Sequence, residues 1–260
     1  MAMPGTVTGL VSIATVGGTA TSSSGFTVTA TPVPGTQQGT KLVGTGNLGA
    51  ASQGNTVAIS ADGNTAIVGG PEDNGGQGAA WVYTRTGGTW SQQGSKLVGT
   101  GNVGAAYQGY SVAISADGNT AVTGGYNDNN GQGAIWVWTR SGATWSQQGN
   151  KLIGTGNIGA ANQGWAVSIS ADGNTIIAGG NGDNGGTGAV WVWVRSGSLW
   201  TQQGTKLVGT GSLGMTLQGS AVSLSADGNT AIVGGYFDEG ETGAAWVFSR
   251  TGSTWTQQGS

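Results

Sequence analysis

One 55-residue unit recurs four times in this chain, and that repetition limits its fold more than any other feature. Residues 36–90, 91–145, 146–200 and 201–255 align without insertion or deletion, and residues 256–260 open a fifth copy. Copies of one length follow one backbone path, and each must bury its apolar faces against its neighbours. The architecture is therefore a row of like units with like junctions.

The second copy shows the unit. Residues 109–115 (GYSVAIS) alternate and are rich in β-branched side chains, which predicts a strand. Ala116-Asp117-Gly118-Asn119 predicts a tight turn, because Asp-Gly accepts the positive φ of a short hairpin. A second strand is predicted at 120–123, a longer polar loop at 127–133, a third strand at 134–140 and a fourth at 144–154. Four short antiparallel strands per unit, at a period somewhat above the ~40–50 residues of familiar blades, predict an all-β propeller of four blades. Nothing has helical period, and the 55 glycines disfavour long helices. Trp136, Trp138 and Trp145 fall at positions that hold Trp, Tyr or Phe in every copy, and so read as blade packing.

A glycine load with only 7% charged residues would suit low complexity, but 36% hydrophobic residues at regular positions and eleven Trp supply a core. The eight basic residues occupy two positions per copy: Lys41, Lys96, Lys151, Lys206 and Arg85, Arg140, Arg195, Arg250. No basic patch results, which argues against nucleic acid as a partner, since phosphate neutralisation needs clustered cations. Cys and His are both absent. That removes disulfides, thiolate sites and the commonest general base and metal ligand. No apolar run nears the ~18 residues of a membrane span, so no membrane insertion is expected. Met1-Ala2-Met3-Pro4 is not the start of a signal peptide, and any export signal is expected upstream.

Ahead of the repeats, residues 5–31 alternate in the manner of two or three short strands, with turns at Gly17-Gly18 and at 22–25. Residues 31–35 (TPVPG) read as a stiff linker. The expected division is 1–35 as an N-terminal β segment and 36–260 as the propeller. GLVSIATVGGTATSSSGFTVTATP resembles the closing strands of the immunoglobulin-like domain shared by plexins and certain transcription factors. That resemblance implies a piece of a larger, bacterial surface protein.

QGYSVAIS-ADGN-TAVTGG-YNDNNGQGAIWVW resembles the repeat of integrin-type propellers named for Phe-Gly and Gly-Ala-Pro motifs, over residues 36–260. Gln108-Gly109 stands where that family has Phe-Gly, and Gly69-Gly70-Pro71 where it has Gly-Ala-Pro. The family often carries a calcium loop rich in Asp. Here that place holds a single carboxylate per copy, Asp62, Asp117, Asp172 or Asp227, so the resemblance implies a propeller without implying calcium. SADGNT is also similar to the hairpin of Trp-Asp repeat propellers.

Three kinds of site are suggested by the copies. GTGNVG at 99–104 matches Gly-x-Gly-x-x-Gly, yet turn and strand follow it instead of a helix, so it reads as a connection between blades. Asp73, Asp128, Asp183 and Asp238 in the polar loops are the calcium candidates, against the plainer reading that Asp and Asn are ordinary turn formers. Tyr107, Tyr110, Tyr126, Trp165 and Tyr236 sit where the copies differ, at loop ends, and are the candidate ligand residues. Arg140 is expected to lie on Trp138 or to pair with an Asp.

The expected protein is a non-catalytic extracellular or cell-surface scaffold or binding module with a protein or glycan ligand. The alternative is a propeller lectin with sites in loops or between blades. No cofactor is expected, and a hydrolase would need paired carboxylates that the sequence does not bring together. Four blades can close alone, since propellers run from about four to eight, but the fragmentary ends suggest part of a larger ring. Two chains pairing into an eight-bladed ring are expected to complete it, with the N-terminal strand finishing the last blade.

Overall fold

The computed structural model describes residues 7–9, 12–15, 18–21, 26–28 and 37–259. The chain forms two compact units, Met1–Thr40 and Lys41–Ser260. In the first, β1 (Val7–Gly9) pairs antiparallel with β4 (Phe26–Val28), and β2 (Ser12–Thr15) with β3 (Gly18–Thr21). The predicted turn at 22–25, Gly17 and the linker at 31–35 lie outside the described residues.

The second unit consists of four antiparallel sheets, each four strands in chain order. The first blade is β5 (Thr56–Ile59), β6 (Thr65–Gly70), β7 (Ala79–Thr86) and β8 (Thr89–Gln92). The second is β9 (Ser111–Ile114), β10 (Thr120–Gly125), β11 (Ala134–Ser141) and β12 (Thr144–Gln147). The third is β13 (Ala166–Ile169), β14 (Thr175–Gly180), β15 (Ala189–Ser196) and β16 (Leu199–Gln202). The fourth is β17 (Ala221–Leu224), β18 (Thr230–Gly235), β19 (Ala244–Thr251) and β20 (Thr254–Gln258).

The Asp-Gly turn between the first two strands is held by its own side chains. The Ser115 hydroxyl donates to Asp117 Oδ1 at 2.5 Å, and the Asn119 backbone N–H donates to the same oxygen at 3.0 Å. Thr120 N–H then donates to Ser115 Oγ at 3.0 Å, which starts β10 in register. Two details depart from expectation. The loop at 127–133 contains a single helical turn, Asp128–Gly131, with Asn129 and Asn130 left-handed at φ 50° and 56°. One turn is too short to show a 3.6-residue period, and Asn tolerates that conformation. The fourth strand stops at Gln147 instead of reaching 154, because the chain bulges out at Gly149 (φ 73°). It returns where Leu152 exchanges backbone hydrogen bonds of 2.8 and 3.1 Å with Ile135.

Each sheet packs one face on the next. Ile67, Ala80 and Val82 of the first blade meet Val112, Ala121, Trp136 and Trp138 of the second. Val122, Ile135 and Val137 likewise meet Ile176, Trp191 and Trp193, and Ile177, Val190 and Val192 meet Ala231, Trp246 and Phe248. Each blade thus has a forward face of small and branched residues and a rear face carrying the aromatics. The innermost strands β5, β9, β13 and β17 adjoin in that order, whereas the first and fourth sheets make no comparable packing. The junctions are close. A Cβ at Gly69, Gly124 or Gly179 would run into the carbonyl oxygen of Gly109, Gly164 or Gly219 on the next blade. The second unit is an open segment of a β-propeller.

Candidate functional site

Four of the five aromatic candidates form one cluster at the start of the innermost strands. Tyr107 stacks on Tyr126 at 5.6 Å between ring centres. Tyr126 also takes Tyr110 edge-on at 4.6 Å and Trp165 at 5.0 Å, and Tyr110 lies 4.9 Å from Trp165. All four rings are half-buried. Three come from the second blade and Trp165 from the third, so the cluster straddles one junction.

The backbone puts them there. Tyr107 has φ 56°, as Ser52, Asn162 and Leu217 have 52°, 57° and 55° at the same place in their copies. A left-handed non-glycine residue is unfavourable by roughly 1–2 kcal/mol and needs to be held. Here the Tyr107 N–H donates to Gly76 O of the first blade at 2.8 Å, and Tyr110 N–H donates back to Tyr107 O at 3.1 Å. Tyr126 follows the Gly124-Gly125 end of β10, so both sides of the loop present aromatics to the same spot. Burial raises the Tyr110 phenol above its ordinary value, with Tyr126 and Tyr236 adding to it. Burial raises Tyr126 as well, with Tyr107 and Glu72 adding. Both are neutral donors at physiological pH.

Tyr236 is exposed and lies beside this cluster without a ring contact to it among the described residues. It packs edge-on against Phe237 at 6.3 Å. With Trp165, Ala221, Gly234 and Ala244 it lines a cavity of about 420 Å³ on the forward side of the fourth blade.

The calcium candidates are already engaged. Asp73, Asp128 and Asp183 are buried, and each pairs through Oδ2 with the lysine 23 residues on: Lys96, Lys151 and Lys206. Their Oδ1 atoms accept the backbone N–H of Leu48, Val103 and Ile158 at 2.7–2.8 Å. Asp238 accepts Leu213 N–H at 2.8 Å in the same way. Among the described residues no three carboxylates gather as metal ligands would. The turn carboxylates are likewise satisfied. Asp62 is held down to about 2 by the Ser60 hydroxyl and by the Asn64 backbone and side-chain N–H groups. At Asp117 and Asp172 burial works the other way. It is outweighed by Ser and Asn hydrogen bonds and by Arg140 and Arg195, and both pKa values are lowered.

The glycine loop is a clamp between strand and core. Gly99 presses on the Trp136 indole so closely that no Cβ would fit. Its N–H donates to Gln108 Oε1 at 2.6 Å, and Trp136 Nε1 donates to Thr100 O at 2.8 Å. Arg140 lies over Trp145 at 5.4 Å, not over Trp138. The register explains this correction, since Arg140 and Trp145 are directly opposite across β11 and β12. Repeated clefts lie beside these outer tryptophans: about 330 Å³ with Lys96 and Trp145, and about 230 Å³ with Lys151 and Trp200.

Neither a family model nor a curated protein matches the chain. Solved structures do. A proposed 6-phosphogluconolactonase from Bacteroides uniformis is 16% identical with a TM-score of 0.55, covering 79% of this chain and 56% of that one. TolB from Acinetobacter baumannii is 14% identical with a TM-score of 0.44, covering 78% and 42%. A functionally unknown protein from Desulfotomaculum acetoxidans is 15% identical with a TM-score of 0.49, covering 78% and 54%. The likeness is one of fold. The chain spans about half the length of these structures.

Proposed function

We propose that this chain is a non-catalytic binding module, placed outside the cell or at its surface, that engages a protein ligand through Tyr107, Tyr110, Tyr126 and Trp165. One observation carries this reading: four aromatic rings from two blades converge at positions that the other copies fill with Ser, Asn, Pro and Leu, Tyr236 of the fourth copy being the one other aromatic. A framework position keeps its residue from copy to copy, whereas a recognition position is free to differ. Half-exposed Tyr and Trp joined to a fixed backbone are the usual anchors of protein interfaces. The rings meet edge-on at 62° and 65°, so they offer a contoured aromatic surface and not a single flat platform. The eight aspartates are tied into turns, ion pairs or backbone hydrogen bonds, and the chain has no His or Cys, which supports the non-catalytic part of the reading. The resemblance of the repeat to integrin-type propellers supports the extracellular part.

The test is a peptide-display selection on the wild-type chain, counter-selected against Tyr126→Ala and Trp165→Ala. Binders lost with either variant, while the far-ultraviolet spectrum and melting remain cooperative, support the site. Binders indifferent to both variants overturn it.

A second reading is a lectin, favoured by the repeated clefts beside Trp145 and Trp200. It expects glycan-array signals that Trp145→Ala or Trp200→Ala reduces. An array without signal removes it.

A further inference from the structure

Both end blades expose apolar residues whose counterparts are buried at the three internal junctions, although Trp81 and Tyr83 on the first blade's rear face are buried. The forward face of the fourth blade exposes Ile232 (47%), Ala221 and Ala245, whereas the matching Ile67, Val122 and Ile177 are buried at the internal junctions. The rear face of the first blade exposes Val57 (67%) and Ile59 (57%), whereas Val112, which matches Val57, is 7% exposed.

Three specific half-contacts are open at the same ends. Each internal junction places a lysine on a buried aspartate 23 residues earlier. Asp238 is buried at 7% exposure and has no lysine partner among the described residues, while Lys41 has Gly18 at the aspartate's place. Each internal junction also bridges a leucine to the third strand: Leu97 to Ala80, Leu152 to Ile135, Leu207 to Val190. The corresponding Ala245 has no bridging partner among the described residues, and Leu42, the corresponding leucine, is 42% exposed. Finally, Gly69, Gly124 and Gly179 each abut the next blade's glycine carbonyl, whereas a Cβ at Gly234 would meet nothing nearer than Ala221 at 3.4 Å. The cavity of about 420 Å³ at Gly234 and Tyr236 occupies the place where the next blade's Gln-Gly segment sits elsewhere.

We infer that the fourth blade of one copy receives the first blade of a second copy, with Lys41 on Asp238 and Leu42 on Ala245. A junction repeated three times within the chain is the argument that the faces fit, because the open residues are those of the buried ones. Two four-bladed copies joined head to tail at both ends close under a two-fold axis into eight blades, which is within the range of propellers. The inference does not depend on the aromatic cluster having a ligand.

Light scattering on the purified 260-residue chain at micromolar concentration tests it. The expected mass is about twice 25.5 kDa. A monomer mass overturns the proposal, and a mass of three or more copies overturns the closed pair. Val57→Asp and Ile232→Asp change side chains that are exposed in the single chain, and each is expected to give a folded monomer. A 1:1 mixture of the two leaves one junction intact, so a pair of chains is expected to reappear. A dimer unaffected by either variant, or variants that fail to complement, would overturn head-to-tail docking. Lys41→Asp is expected to weaken dimerisation at least tenfold, an effect that high salt alone should partly reproduce.

Discussion

Tyr126 of the second blade stands 5.0 Å, ring centre to ring centre, from Trp165 of the third, at an interplanar angle of 65°. One junction further on the same two positions hold Asn181 and Ser220, joined by a hydrogen bond of 3.3 Å. The blade framework thus brings this pair together whatever occupies it. Aromatic pairs of this geometry contribute roughly 0.5–1.5 kcal/mol beyond the area they bury. A double-mutant cycle with Tyr126→Ala and Trp165→Ala, read by urea unfolding, should return a coupling in that range. Additive single effects would show that the rings are neighbours without being partners.

The buried lysine-aspartate pairs should matter more to stability than the surface charges do. Asp128 is fully buried and Lys151 nearly so, with 14% of its side chain exposed. Removing one member of a buried pair leaves an uncompensated charge, at a cost of about 3–5 kcal/mol. Lys151→Ala should therefore lower the urea midpoint markedly. Glu239→Gln, at an exposed position, should leave it within about 0.5 kcal/mol. Because lysine and backbone N–H groups fill these carboxylates, a chelator should not shift the melting temperature. A chelator-dependent fall of several degrees would reopen the metal reading.

The period, the hairpin and the aromatic third strand carried most of the fold in the sequence, because each is a local pattern repeated without an insertion. The convergence of Tyr107, Tyr110, Tyr126 and Trp165 was legible only as shared position at loop ends. That Tyr126 reaches across to the following copy needed the junction itself. The 23-residue spacing of Asp73 and Lys96 recurs at every junction, yet the aspartates read as calcium candidates or turn formers and the lysines only as a repeated position. Their pairing depends on a bulge at Gly94, Gly149 and Gly204 that returns the chain to the third strand, and a glycine alone does not announce a bulge.

Acid should unfold the chain through the turn carboxylates. Asp62, Asp117, Asp172 and Asp227 all have lowered pKa values in the folded state against an ordinary 3.8. A lowered folded value means that their contribution is complete above the unfolded value. It is lost as pH falls through the folded one, about 2 for Asp62. The urea midpoint should stay level above pH ~4 and decline steadily toward pH ~2. Asp62→Asn combined with Asp117→Asn should flatten that decline, since an amide does not titrate. A decline of unchanged steepness would place the acid-sensitive groups elsewhere.

Gly179 and Gly234 occupy the same position in successive blades and should respond oppositely to one methyl group. At Gly179 an added Cβ collides with the carbonyl of Gly219, which is backbone and cannot turn aside. Gly179→Ala should force the third and fourth blades apart and cost about 1–3 kcal/mol, as overpacking does. At Gly234 the same Cβ meets only Ala221 at 3.4 Å, an ordinary contact. Gly234→Ala should therefore leave the melting of the isolated chain unchanged or slightly improved, since alanine restricts the unfolded state. Its effect should appear only where a second copy's blade must close on that face, as a loss of the two-chain mass in light scattering. Equal destabilisation by the two substitutions in a monomeric background would mean that the fourth blade's forward face is already covered within the chain.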